Sequence, residues 1–430
     1  MAMPTSSNRW TSLLRSAAVV LALKVAGALG GYAFVWVAVR HFGHEGYGRF
    51  ELAFTFLSIL AVVAKWGYDG VLLRELPGQT LQQNKSLTWG VMGFSALASA
   101  ALALALFTMR GPMAMLFHTP GLEQEIAWMA LALVPWTLFQ VWAEHLRADH
   151  AWLGYGILQS SFILGLTALG IFLYPAMQHP AIYLVGFVWG TLLFWLPGFI
   201  QKYRRAGALD VKTAYQSMLS WRRTATAMFL TGTLFMVMSW SDTLMVGYFL
   251  DAEQVGLYRV AFKIATLITF AQFAVNAQIA PHISAAWKSN DLKELQASVY
   301  RVAWLNATLG LPAFAILMGW GDFFLGFFGE EGSEILAQVD LLRILCLGQI
   351  INALCGPVMY LLNMTGNETS ARNTMAIAVV INIGANAIMI PWIGLQGAAW
   401  ATSITMVLWN VWALVAVYRK TGIRTLLFWR

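Results

Sequence analysis

Residues 235–264, FMVMSWSDTLMVGYFLDAEQVGLYRVAFKI, decide the fold. Two apolar arms flank a short polar turn. Each arm extends into a run long enough to cross about 30 Å of hydrocarbon at about 1.5 Å per residue. Yet Asp242 lies inside the first arm and Lys263 inside the second. An isolated charge at the centre of a bilayer costs about 3 kcal/mol on insertion scales, so each needs a partner or water. With the turn near Ala252, both residues sit at the same depth, about 15 Å from the surface. The spacing predicts an acid and a base facing each other across a helical hairpin. Such a pair either pins the two helices or couples them to an ion gradient. In the second case Asp242 is protonated, or a cation takes the place of Lys263.

The rest of the chain agrees with a membrane reading. Of its 430 residues 59% are hydrophobic and only 11% charged, and the mean hydropathy is +0.64. A soluble domain carries more than twice that share of charge. The first apolar run is too long for a secretory signal peptide. The two cysteines, Cys346 and Cys355, stand nine residues apart in one apolar run, which offers neither a disulfide framework nor a metal site. No cofactor is expected.

Apolar runs occur at roughly 16–39, 50–72, 86–109, 125–145, 152–175, 181–201, 221–249, 256–280, 302–320, 335–363, 372–391 and 394–418, predicting about twelve transmembrane helices. If the N-terminus is cytoplasmic, 19 of the 27 lysines and arginines fall in cytoplasmic segments and 4 in outer ones, with 4 inside the runs. That asymmetry predicts cytoplasmic termini. It also explains the net charge of +7: the surplus lies at the membrane surface, where anionic lipid favours it. A nucleic-acid partner loses its support.

The chain repeats itself weakly. Tyr47-Gly48-Arg49-Phe50-Glu51-Leu52-Ala53-Phe54 resembles Val255-Gly256-Leu257-Tyr258-Arg259-Val260-Ala261-Phe262, and Tyr203-Arg204-Arg205-Ala206-Gly207 resembles Tyr418-Arg419-Lys420-Thr421-Gly422. Two halves of six helices share one orientation in the membrane, as parallel repeats. The expected domains are residues 1–210 and 211–430.

Three segments resemble a known family: Asp242 to Gly247 followed by Val255 to Ala261; Leu361-Leu-Asn-Met-Thr-Gly366-Asn; and Pro391-Trp-Ile-Gly394-Leu-Gln-Gly397-Ala398-Ala399-Trp-Ala401-Thr402-Ser. They are similar to the Wzx-type O-antigen and exopolysaccharide flippases of the multidrug/oligosaccharidyl-lipid/polysaccharide superfamily. The resemblance implies an all-α integral membrane protein with two six-helix bundles around a central cavity. It also implies export of undecaprenyl-pyrophosphate-linked oligosaccharide from the cytoplasmic to the periplasmic leaflet of a bacterial inner membrane. A polysaccharide polymerase and a chain-length regulator are the implied protein partners, beside membrane lipid. The lipid II flippases of the superfamily usually carry two more helices than this chain has room for.

Four cations are candidates for such a cavity. Lys24 lies near the midplane of the first run with no acid within a turn or two. It reads as a cation facing the cavity or as a lysine bonded to carbonyls. Lys263 belongs to the hairpin. Lys65 can pair with Asp69 at i, i+4, and Arg343 with Asp340 at i, i+3; an arginine suits pyrophosphate through its bidentate fork. The amides Gln272, Asn276, Gln278, Asn352, Asn382 and Asn386 lie inside runs, and Asn382 and Asn386 share a helix face. They read mainly as interhelical hydrogen bonds, some open to sugar hydroxyls. Pro135, Pro197, Pro312 and Pro357 permit bends.

Neither a Walker motif nor an enzymatic constellation is present. The acidic segment Gly329 to Glu334 is the one hint of a lipid-sugar transferase. Set against the flippase is a multidrug exporter of the same superfamily. An anionic cargo wants cations, and the buried charges lean cationic.

Overall fold

The computed structural model describes residues 6–77, 80–149, 151–159, 162–204, 211–329 and 334–426. Among them every regular element is helical, and nine helices are long and apolar enough to cross a membrane. The protein is an all-α multi-pass membrane protein. The difference from twelve runs has a local cause. The run 16–39 and most of the run 50–72 fall in α1 (Ser6–Lys65), which turns at Gly43 with φ 71° and ψ 176°, outside helical geometry. The runs 152–175 and 256–280 are each carried by two shorter helices.

The chain forms two units, Met1–Thr233 and Leu234–Arg430. In the first, α1 ends at Lys65, Trp66 and Gly67 adopt left-handed backbone (φ 47° and 74°), and α2 (Tyr68–Glu75) follows. Then come α3 (Leu81–Leu116), α4 (Leu122–Ala148), α5 (Trp152–Gln159), α6 (Phe162–Leu173), α7 (Pro180–Arg204) and α8 (Val211–Ser220). Thr80 and Gln83 close a capping box at the start of α3, satisfying two backbone donors that have no helical acceptor. α4 packs against α1, α3 and α7. Tyr68, Leu72, Leu87, Val91, Val141 and Met218 share one core.

α9 (Arg222–Phe249) crosses from the first unit's residues into the second's. It is followed by α10 (Ala252–Ala265), α11 (Leu267–Lys288), α12 (Leu292–Gly319), α13 (Gly321–Gly326), a short 3₁₀ turn, α14 (Val339–Leu354), α15 (Val358–Met364), α16 (Glu368–Ile393) and α17 (Leu395–Thr421). Asp251 caps α10 by accepting from Gln254 N at 2.9 Å, and Asp291 caps α12 by accepting from Glu294 N at 3.0 Å. α17 packs on α14 and α16. Pro135, Pro197 and Pro312 stay inside continuous helices. At Pro357 the helix does break, between α14 and α15, with Gly356 at φ 74°. Leu97, Phe194 and Val380 are among the apolar side chains left exposed, as expected of surfaces that face lipid.

Candidate functional site: a buried carboxylate held by neutral donors

Asp242 lies on α9, buried, in the second unit. Its Oδ1 accepts from Asn386 Nδ2 at 2.7 Å and Asn382 Nδ2 at 3.0 Å. Its Oδ2 accepts from Thr402 Oγ1 at 2.7 Å and Tyr258 OH at 3.1 Å. All four donors are buried. They come from α10, α16 and α17, so the carboxylate ties three helices to α9. A hydrogen bond to a charged group contributes about 1.5–3 kcal/mol. Four of them offset the insertion cost of about 3 kcal/mol without any cation.

The expected partner, Lys263, is not among these contacts. The turn lies at Leu250 and Asp251, not at Ala252, so Asp242, near the end of α9, is level with Tyr258, the seventh residue of α10. Lys263 stands five residues deeper, about 7 Å along the helix. It is half-buried and is not without a partner.

The protons at Oδ2 are limited. Thr402 Oγ1 is 2.7 Å from Asp242, 2.9 Å from Ala398 O and 2.9 Å from Tyr258 OH, yet a hydroxyl carries one proton. If a proton or cation binds Oδ2, the Thr402 proton can turn to Ala398 O and leave a lone pair facing the ion. Ser241 Oγ donates to Asn382 Oδ1 at 2.7 Å and orients that amide. Asn386 Oδ1 has no protein partner. On the Oδ2 side the carboxylate is met by two hydroxyl oxygens, Tyr258 OH and Thr402 Oγ1, and a negative oxygen beside hydroxyls suits a proton or a hard cation of low charge.

The other expected residues stand apart from this cluster. Lys65 Nζ donates to Asp69 Oδ2 at 2.7 Å, across the helix break at Trp66–Gly67. Arg343 Nη1 donates to Asp340 Oδ1 at 3.2 Å and its Nε to Met318 O at 3.4 Å. The side chains of Lys24 and Gln278 lie outside the described residues. Asn382 and Asn386, read from sequence mainly as packing amides, are ligands of the acid; their i, i+4 spacing opposite a buried aspartate was the signal. Tyr258 and Thr402 stood inside the quoted motifs without a role.

Sequence reasoning also missed two polar clusters in the first unit. Buried Glu125 accepts from His179 at 2.9 Å. Buried His145 lies 3.2 Å from Thr88 Oγ1, 2.9 Å from Lys202 Nζ and 3.2 Å from Tyr203 OH, and Lys202 also meets Asp149. The His145–Asp149 spacing of one helical turn was the available clue.

The fold of this multi-pass helical protein is that of the multidrug/oligosaccharidyl-lipid/polysaccharide superfamily. Against the lipid II flippase MurJ in an inward closed conformation the TM-score is 0.71, at 16% identity over 93% of this chain and 87% of that one. Against an inward-facing multidrug resistance MATE family transporter it is 0.70, at 15% identity over 94% and 99%. The chain belongs to the polysaccharide biosynthesis protein family, whose model matches residues 13–287. The MatE family model matches residues 227–388. Two curated relatives come from Haloferax volcanii. The "Probable low-salt glycan biosynthesis flippase Agl15" is 24% identical over 406 residues, 91% of this chain and 81% of the relative. The "Probable flippase AglR" is 28% identical over 208 residues, 48% of this chain and 43% of the relative, so that match spans less than half of AglR.

Proposed function

We propose that the chain is a Wzx-type flippase. It moves an oligosaccharide repeat unit linked to undecaprenyl pyrophosphate from the cytoplasmic to the periplasmic leaflet by alternating access. The observation that carries this reading is family membership across residues 13–287, joined to a match along 91% of the chain with a relative named for glycan flipping. In this reading twelve helices form two six-helix halves, residues 1–210 and 211–430, around a central cavity, with both termini on the cytoplasmic side of a bacterial inner membrane. A polymerase and a chain-length regulator act on the product.

The cavity must attract pyrophosphate, and cations do so. Lys24, Lys65, Lys263 and Arg343 are the candidates. Lys65 and Arg343 each already hold a carboxylate, so Lys24 carries most of the proposal. Asp242 is the coupling group: binding a proton or cation there redistributes the hydrogen bonds that join α9 to α16 and α17.

The test is deletion in the organism that carries the gene. Loss of surface polysaccharide, with lipid-linked repeat units retained on the cytoplasmic side, supports the flippase. Intact polysaccharide with new sensitivity to cationic dyes supports the second reading, a multidrug exporter, which the MatE match over residues 227–388 favours.

A further inference from the structure

A second polar group lies in the Leu234–Arg430 unit, apart from Asp242. It comprises Gln272 and Asn276 on α11, Asn306 on α12, Asn352 on α14 and Asn410 on α17. Gln272 Nε2 donates to Asn352 O at 3.2 Å, and Asn410 Nδ2 to Asn352 Oδ1 at 3.2 Å. Asn276 is one turn from Gln272 on the same face. Asn306 joins the same layer through Gly310, where a Cβ would lie 3.4 Å from both Ile268 O and Ala353 Cβ. α11 and α12 form a hairpin and run antiparallel, so the residue a turn before Gly310 is level with the residue a turn after Ile268. Those residues are Asn306 and Gln272.

Gln272, Asn276, Asn306 and Asn410 are buried, yet five of their polar atoms have no protein partner: Gln272 Oε1, Asn276 Oδ1, Asn410 Oδ1 and both Asn306 Nδ2 and Oδ1. Buried amides are nearly always paired, so five orphans in one layer mark a place for a polar guest. A separate observation agrees. The backbone leaves helical geometry at Gly356 and Pro357, about one turn from Asn352, with Gly356 at φ 74°. Irregular backbone at membrane depth is tolerated where it is buried in protein or lines a wet cavity.

Four of the five orphans are oxygens, and no residue of the group is ionised. Neutral amide oxygens can replace part of the hydration shell of a singly charged cation, but they hold it too weakly to trap it, which is what a transit site requires. α17 links the two places. Thr402, which holds Asp242, is eight residues from Asn410, about 12 Å along the helix toward its Gly422 end. Between them Thr405 Oγ1 is also buried without a protein partner.

We propose that this amide layer is a hydrated transit site for a monovalent metal cation passing between Asp242 and the Gly422 end of the unit. The proposal rests on the reading of Asp242 as the coupling group. It is tested with sodium on the purified full chain, by equilibrium binding and by radioactive sodium exchange in proteoliposomes. Asn306→Leu and Asn410→Leu should each slow exchange about tenfold, the cost of losing one polar foothold, and leave equilibrium affinity unchanged. Intact affinity also shows that a variant is folded. Asn306→Ser, which supplies a hydroxyl in place of the amide and leaves room for water, should exchange at nearly the wild-type rate. Sodium binding with unaltered exchange in both leucine variants overturns the transit site and leaves the Asp242 reading standing, as does equal slowing by Asn306→Ser and Asn306→Leu. A wild-type protein that binds no sodium, or binds it equally after Asp242→Asn, overturns metal-cation coupling at Asp242 and the transit site with it.

Discussion

Asn386 donates its Nδ2 to Oδ1 of Asp242 at 2.7 Å from 144 residues further along the chain, while its own Oδ1 has no protein partner. One amide thus offers a donor to the acid and an acceptor to any cation that joins it. Asn386→Leu removes both. We expect it to lower stability by about 2 kcal/mol, the value of a hydrogen bond to a charged group, and to abolish stabilisation by the coupling ion. Thermal unfolding in detergent, with and without sodium, measures both. An unchanged unfolding temperature would show that the amide does not hold the carboxylate.

Exchanging charges between Asp242 and Lys263 should not help. The carboxylate is met by Tyr258, Thr402, Asn382 and Asn386, and a lysine at 242 would take away the acceptor that all four share. The double variant Asp242→Lys with Lys263→Asp is expected at a membrane level no higher than the worse single variant. Recovery to the wild-type level would mean that the two residues meet after all. Asp242→Asn keeps the shape and should keep the protein level, while transport loses its ion dependence.

Gly67 has φ 74°, and a Cβ there would lie 2.2 Å from Ala225 O and 2.6 Å from Phe229 N. Beside it, Trp66 stacks on Phe229 with ring centroids 4.3 Å apart. Gly67→Ala must displace α9 or rebuild the break after α1, at a cost of about 2 kcal/mol or more. Gly93→Ala, in a helix with nothing within 4 Å, should be neutral or stabilising by up to about 1 kcal/mol. Unfolding temperatures of the pair give the comparison; equal effects would contradict the close approach at Gly67.

Lys24 should act through the sign of its charge. Lys24→Arg is expected to retain most surface polysaccharide, Lys24→Ala to lose most of it and Lys24→Glu nearly all, at normal protein level on membrane blots. Normal polysaccharide from Lys24→Ala would remove this lysine from the cavity.

Topology is open to thiol labelling once Cys346 and Cys355, both buried, are replaced by alanine. A cysteine at Gly111 should react with an impermeant reagent in intact cells, and one at Asn290 only after the membrane is opened. Labelling of Asn290 from outside would reverse the proposed orientation.

The sequence by itself determined that this chain is helical and lives in a membrane, because apolar runs of bilayer length with so few charges leave no other solution. It also picked out Asp242 as anomalous and Asn382 and Asn386 as sharing a face, since both follow from helical periodicity. The partner of Asp242 was decided only by tertiary structure. Depth along a hairpin depends on where the turn falls, and a shift from Ala252 to Leu250–Asp251 replaced Lys263 with Tyr258. Thr402 and the two asparagines reach the acid from 140 to 160 residues away, through the packing of α16 and α17, which no local pattern records. The break at Gly356 was signalled by Pro357, but the one at Trp66–Gly67 was invisible, because it is set by the close approach of Gly67 to Ala225 and Phe229 and not by the residues that flank it.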